Sequence, residues 1–154
     1  MNAVPDNGTV RRASARDADE IARLYAQLVA NPTVRILPER LADLENASDT
    51  ALFVFEHAER LVGTVLVCLC ADVMFGHRPF AVVENIVVDA TARGQGVGSA
   101  LLRAVDRFCL AADCSKIMLL SAAERGDAHR FFERSGYAGD RKRGFVKYRN
   151  AFQA

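Results

Sequence analysis

No charge of one sign dominates this sequence: 20 Lys and Arg stand against 19 Asp and Glu, a formal net charge of +1. A surface that tracks nucleic-acid phosphates shows itself as a clear basic excess, so that class of partner finds no support. Long apolar runs are also missing. The longest, Leu61 to Phe75, is broken by Gly63, Thr64 and Asp72 and is too short for a bilayer crossing, so no membrane role is expected. The opening residues Met1 to Arg12 show no basic start followed by an apolar stretch, which makes the cytoplasm the expected compartment. Cysteines and histidines are few. Cys68, Cys70, Cys109 and Cys114 contain no CxxC pair, and only His57, His77 and His129 accompany them, so none of the usual metal-ligand spacings occurs. The four thiols read as small reduced side chains, and no metal is expected. Repeats, low-complexity stretches and linker-like segments are absent.

What is present suits one soluble domain. The chain has 154 residues, 51% hydrophobic and 25% charged, enough for one buried core. We read a flexible start over residues 1–8 and a single domain over 9–154. "TVRRAS" is a short strand, and Ile21, Leu24, Tyr25 and Leu28 follow at helical spacing, with Asp17 and Glu20 as a capping box. Pro38 opens a second short helix. "ALFVFEH" and "RLVGTVLVCLCADV" form a hairpin across "AER", and "PFAVVENIVVD" is a strand covered on both faces. From Ser99 a helix places Leu101, Leu102, Val105 and Phe108 on one stripe. "KIMLL" is a further strand, "DAHRFFERSG" a helix ending at Gly136, and "GFVKYR" a last strand. This order predicts an α/β fold with a mixed central sheet and helices on both faces.

Gly94, Gly96 and Gly98 alternate just before the amphipathic helix. Such glycines turn the backbone tightly and leave its N–H groups uncovered. The first helical turn adds unpartnered N–H groups and a partial positive charge, which together make an anion cradle. The spacing G-x-G-x-G is not the dinucleotide G-x-G-x-x-G, and the NTP-binding G-x-x-x-x-G-K-[ST] is absent. The glycines alone leave open a turn with no ligand.

The pattern R-x-x-G-x-G at Arg93, Gly96 and Gly98, after the strand "ENIVVD" and opening a helix, resembles the acetyl-CoA motif of the GNAT superfamily of N-acetyltransferases. Downstream, "AHRFFERSGY" is similar to that family's penultimate helix. The resemblance covers nearly the whole chain and implies the GNAT acyl-CoA N-acyltransferase fold. It implies acetyl-CoA as cosubstrate, its diphosphate on the amides of Arg93, Gly94, Gln95, Gly96, Val97, Gly98 and Ser99. The pantetheine arm would add as an extra strand to Ile86, Val87 and Val88, where the central strand and the "KIMLL" strand splay apart. A backbone N–H near Ile86 or Val87 would polarise the thioester carbonyl.

Glu84 interrupts an otherwise apolar strand, where an unpaired buried charge is costly and asks for a partner. The functional reading is that Glu84 binds the acceptor ammonium or takes its proton through water. The bland reading is a carboxylate paired with an arginine or standing in solvent. Strict alternation would put Asn85 on the opposite face. The family's usual thiolate-protonating tyrosine is replaced by Phe132, which implies a packing role against the pantetheine arm and leaves water, Tyr137 or Ser121 as proton sources. Among GNAT branches the chain is most similar to small-molecule amine acetylators, including those acting on amino-sugar phosphates and aminophosphonates. Arg78 and Arg35 are the candidates for holding an anionic group on such an amine. A catalytically silent acyl-CoA-binding domain and a protein or peptide acetyltransferase are the alternatives. The apolar tail permits a homodimer.

Overall fold

The computed structural model of the chain describes residues 8–153. The expected flexible start, residues 1–8, lies outside the described residues except for Gly8. The chain packs as two compact units divided after Leu119.

The first unit contains β1 (Thr9–Arg12), α1 (Ala18–Leu28), α2 (Pro38–Glu45), β2 (Thr50–His57), β3 (Arg60–Cys70), β4 (Phe80–Val88), α3 (Val97–Ala111) and β5 (Ile117–Leu119). The strands form one sheet in the order β1-β2-β3-β4-β5. Neighbours are antiparallel except β4 and β5, which are parallel because α3 carries the chain back across the sheet between them. Each face has its own core. On one, Val97, Leu101 and Val105 of α3 pack on Val65, Val67, Ala81 and Val83. On the other, Ile21 and Leu24 of α1 and Leu41 of α2 pack on Leu52, Val54 and Val87. The mixed sheet with helices on both faces is therefore as the element order predicts.

Gly63 sets how closely α3 approaches. A Cβ there would stand 2.8 Å from Val97 Cγ1 and 3.0 Å from Leu101 Cδ1, so only glycine lets the first turn of α3 seat directly on β3. The chain between β4 and α3 is held as firmly. Asp89, buried at the end of β4, accepts from Thr91 N–H at 3.0 Å and Thr91 Oγ1 at 2.7 Å, from Arg23 Nη1, and from Gln27 Nε2 at 3.3 Å. Gln27 in turn accepts from Ala90 N–H at 2.9 Å, and Arg23 also donates to Leu61 C=O at 2.6 Å. One carboxylate thus ties α1 to the end of β4. The Thr91 N–H first, and the Arg23 guanidinium after it, hold the Asp89 carboxyl far below the usual carboxylate range.

The expected Asp17–Glu20 capping box does not form. Arg11 on β1 places a guanidinium beside Asp17, at 2.8 and 2.9 Å, and that carboxylate also accepts from Ser14 N–H at 2.7 Å. The charged two-pronged donor captures Asp17, so the box sits one turn earlier, between Ser14 and Asp17. Glu20 is left to Arg23 at 3.2 Å and Leu61 N–H at 3.3 Å. The β2–β3 hairpin is as expected, and its two turn residues both take left-handed backbone, Ala58 at φ 48° and Glu59 at φ 61°. That is the geometry asparagine and glycine favour and a Cβ-bearing alanine or glutamate resists.

The second unit, Leu120–Ala154, holds α4 (Gly126–Arg134). Phe132 is buried there, its ring 5.3 Å from Phe131 and 6.0 Å from Tyr137. The predicted last strand over "GFVKYR" is not formed among the described residues; Arg149–Ala151 is a single 3-10 turn instead. Phe145 is 85% exposed and Tyr148 74%. A strand is stabilised by a ladder partner and a covered face, and this segment has neither, whatever its β propensity.

Two outcomes follow from these local geometries. The pair Ala58→Asn with Glu59→Gly is expected to stabilise the chain by about 1 kcal/mol by removing left-handed strain, read as a raised Tm. Asp89→Ala is expected to destabilise it by about 2 kcal/mol at pH 7. Asp89 is more acidic folded than unfolded, so its stabilisation is complete above about pH 4 and declines as the pH falls below that. Urea unfolding at pH 7 and at pH 3 should show the gap between wild type and Asp89→Ala narrowing in acid.

Candidate functional site

Three features meet at the end of β4: an unpaired strand edge, a set of helical amides and a kink that regroups side chains. The edge comes first in the chain. β4 pairs with β3 along nearly its whole length, but with β5 only through Ala81, Val82 and Val83. The β4–β5 ladder ends at Val83 and Leu119, and beyond it no described strand pairs with β4 on that side. Asp89 N–H donates toward β3, to Val62 C=O at 2.8 Å. Alternation then turns the N–H and C=O of Val87 toward β3 and those of Ile86 and Val88 toward the open edge. Of the three residues expected to offer that edge, Ile86 and Val88 present backbone groups to it and Val87 presents its side chain to the α1 core. Arg93 Nε already donates to Val88 C=O at 3.2 Å.

The amides follow. Gly94 at φ 75° and Gly96 at φ 80° take backbone that L side chains resist, and Gly96 caps α3. Ala100 N–H donates to Gly96 C=O at 3.0 Å and closes the first turn, so the amides of Val97, Gly98 and Ser99 precede any intrahelical acceptor. Gln95 Nε2 donates back to Thr91 C=O at 3.0 Å and holds the turn folded on itself. Arg93, Gly94 and Gln95 are exposed around the helix start. The donors converge with the helix dipole, which suits a doubly charged anion.

The kink is at Asn85, with φ 53° inside the strand. Before it, Ala81 and Val83 face the α3 core; after it, Ile86 and Val88 do, and Val87 faces the α1 core. An unbroken period of two would keep 81, 83, 85 and 87 together, so one residue has been inserted as a bulge. Glu84 is paired across the ladder with Leu66, which packs on the α1 side. Asn85 comes to the same side, where its side chain lowers the proton affinity of the Tyr25 phenol. The expectation that Glu84 and Asn85 face opposite ways is thereby corrected: the bulge breaks the alternation on which it rested. Burial pushes the Tyr25 phenol above its usual value, with Asn85 acting against that.

Glu84 is exposed, so the buried charge that seemed to call for a compensating partner does not arise. Cys68 on β3 has a thiol pushed up by burial, held back by Thr50, and raised further by Cys70, Asp49 and Glu84. A thiol so placed is protonated at neutral pH and is a poor nucleophile. All four cysteines are free thiols, and no group of three potential metal ligands occurs among the described residues.

The remaining expected site residues divide. Arg35 lines a cavity on the α1 side together with Tyr25 and Leu66. Arg78, in contrast, precedes β4 and donates to Asp113 at 3.0 Å, just past the far end of α3 from the glycine turn. Phe132 belongs to the second unit and is packed among aromatic rings there. Sequence reasoning missed Tyr25, the Asp89 clamp and Gly63. An asparagine in a strand of valines was the available signal for the bulge, because Asn is the residue after glycine that most tolerates left-handed backbone.

A family model for the acetyltransferase (GNAT) family matches residues 19–137. Among solved structures, an acetyltransferase from Agrobacterium tumefaciens str. C58 is 24% identical, covers 91% of this chain and 99% of its own, and superposes with a TM-score of 0.79. A glucosamine-6-phosphate N-acetyltransferase from Arabidopsis thaliana is 20% identical over 93% of this chain and 99% of its own, also at 0.79. An aminoglycoside acetyltransferase from an uncultured soil metagenomic sample is 18% identical over 94% and 97%, at 0.79. The comparison with curated proteins finds no match. At these identities the structures establish the shared fold, and the family match supplies the rest: a chain with a one-sided β4, a glycine-capped α3 and residues 19–137 within the family pattern belongs to the GNAT family of acetyltransferases.

Proposed function

We propose that the chain is an N-acetyltransferase that moves the acetyl group of acetyl-CoA to the primary amine of a small molecule by direct attack. The observation that carries this reading is the sequence of β4 and α3: amides at Val97, Gly98 and Ser99 without partners among the described residues follow directly on the strand edge at Ile86 and Val88, which no described strand pairs on the β5 side. Acetyl-CoA has a diphosphate and, along its arm, two amides that mimic a peptide. The residues present fit both parts: left-handed Gly94 and Gly96 leave the helix start uncovered, and β4 offers a strand edge beside it. The coenzyme would supply an acetyl group activated as a thioester. Arg93 would meet the diphosphate from the rim, and the Ile86 N–H would stand where a carbonyl oxygen gains charge.

On the acceptor side, an alkyl ammonium must lose a proton before it attacks. Glu84, exposed next to the Asn85 bulge, is the carboxylate available to hold that ammonium and relay its proton through water. The protonated Cys68 favours direct attack over an acetylated-cysteine route. The exposed Phe145 and Tyr148 support the expectation of a homodimer, and no helix among the described residues is long and apolar enough to cross a membrane. Within this proposal residues 9–154 act as one cytoplasmic domain.

Thiol release from acetyl-CoA, followed across a panel of amines, tests the reading. Turnover with at least one small amine is expected, and Glu84→Gln should lower kcat/KM by about 10²-fold at neutral pH. Unchanged turnover across pH removes Glu84 from the mechanism. Coenzyme binding without transfer to any amine would mark a silent acyl-CoA-binding domain, and transfer to peptides alone a protein acetyltransferase.

A further inference from the structure

A cavity of about 180 Å³ lies between α1, α2 and the sheet. Its walls are apolar: Ile21 from α1, Ile36 from the connection to α2, Leu41 from α2, and Leu52 and Leu66 from the sheet. Two residues join it to the reacting end of the site. Leu66 is the cross-strand partner of Glu84, and Tyr25, which also lines the cavity, carries a phenol whose proton affinity Asn85 lowers. The cavity therefore lies on the sheet face to which Glu84 belongs, with Leu66 a neighbour of both.

Its size and lining select among occupants. The pocket opens to solvent on one side, and its apolar walls leave room for an aryl or branched-alkyl group. A sugar ring in the same space would turn the hydroxyls of its inner side against leucine and isoleucine side chains, at a penalty for each one left without a partner. The charged groups on the wall differ from one another. Arg40 stands 3.8 Å from Asp43, whereas Arg35, exposed at the rim, makes no ion pair among the described residues. A guanidinium with nothing to neutralise it suits a small planar or tetrahedral anion.

We infer that the acceptor is a primary amine carrying an aryl or branched-alkyl group, which fills this cavity, and a carboxylate or phosphonate, which Arg35 holds. This rests on the acetyltransferase reading and names its substrate class: a hydrophobic amino acid or its phosphonate analogue in place of an amino-sugar phosphate. The amine then lies toward Glu84, because Leu66 and Tyr25 connect the cavity to that residue and its neighbour. Arg35 acts as a binding residue for the anion, and Ile36 and Leu66 set the size of group accepted.

Calorimetric titration of the full chain with L-phenylalanine, its phosphonate analogue, phenethylamine, L-alanine and glucosamine 6-phosphate tests this, with acetyl-CoA titrated separately. Phenylalanine or its phosphonate is expected to bind at least tenfold more tightly than alanine, and glucosamine 6-phosphate not to saturate. Arg35→Gln should weaken the anionic ligands about tenfold and leave phenethylamine unchanged, and Ile36→Trp should abolish the preference for the aryl group. Equal binding of phenylalanine and alanine, preference for the sugar phosphate, or an Arg35→Gln effect on phenethylamine as large as that on phenylalanine would overturn the assignment. The two readings separate cleanly. Coenzyme binding without aryl-ligand binding removes the cavity assignment alone, and aryl-ligand binding without coenzyme binding removes the acetyltransferase proposal while keeping the cavity.

Discussion

Asn85, a single residue of left-handed backbone in the middle of β4, divides that strand into two halves that behave differently. Before it, β4 is an interior strand, paired on both sides and alternating in the ordinary way. After it, the side-chain pattern is displaced by one, and only the β3 side remains paired. The cost of αL backbone for a residue with a Cβ is roughly 1–2 kcal/mol, less for asparagine. That strain is compatible with a fold whose two cores fix the strand on either side of it. In return the bulge brings Glu84 and Asn85 to one face and leaves Ile86 and Val88 with backbone groups directed at an open edge. In a strand without the bulge, Glu84 and the residue after it would face opposite sides.

The anion cradle depends on this strand as well. α3 begins where it does because Gly63 lets Val97 and Leu101 sit on β3, and because Asp89 ends β4 by binding Arg23, Gln27 and Thr91 together. Neither group touches the proposed coenzyme. Both fix the height and direction of the helix start relative to the open edge, so that a diphosphate and a peptide-like arm are met by one rigid frame. Rigidity here comes from hydrogen bonds to a buried carboxylate and from close packing at a glycine, two devices that a sequence shows only indirectly.

Much of the frame was legible in the sequence where periodicity was strong. The order of elements through α4 follows from runs of valine, leucine and isoleucine at periods of two or 3.6, and the glycine turn is visible as an alternation that strand or helix would resist. Where local pattern competes with a distant partner, the reading failed for a definable reason. Asp17 and Glu20 have capping-box spacing, but Arg11, brought near by β1, took Asp17. "GFVKYR" has strand composition, but composition supplies no ladder partner. Glu84 and Asn85 alternate in sequence and not in space, because hydrophobic period does not encode a bulge and only the asparagine itself signals one. Arg78 and Arg35 are both arginines near the expected acceptor region; a distant aspartate, Asp113, engages one, and a cavity places the other.

Amide hydrogen exchange, measured residue by residue with and without coenzyme A, tests the frame most directly. Slowed exchange confined to the start of α3, at Val97, Gly98 and Ser99, and to Ile86 and Val88 on β4 is the result this account predicts. Binding of the coenzyme with protection elsewhere and none at those amides would contradict it.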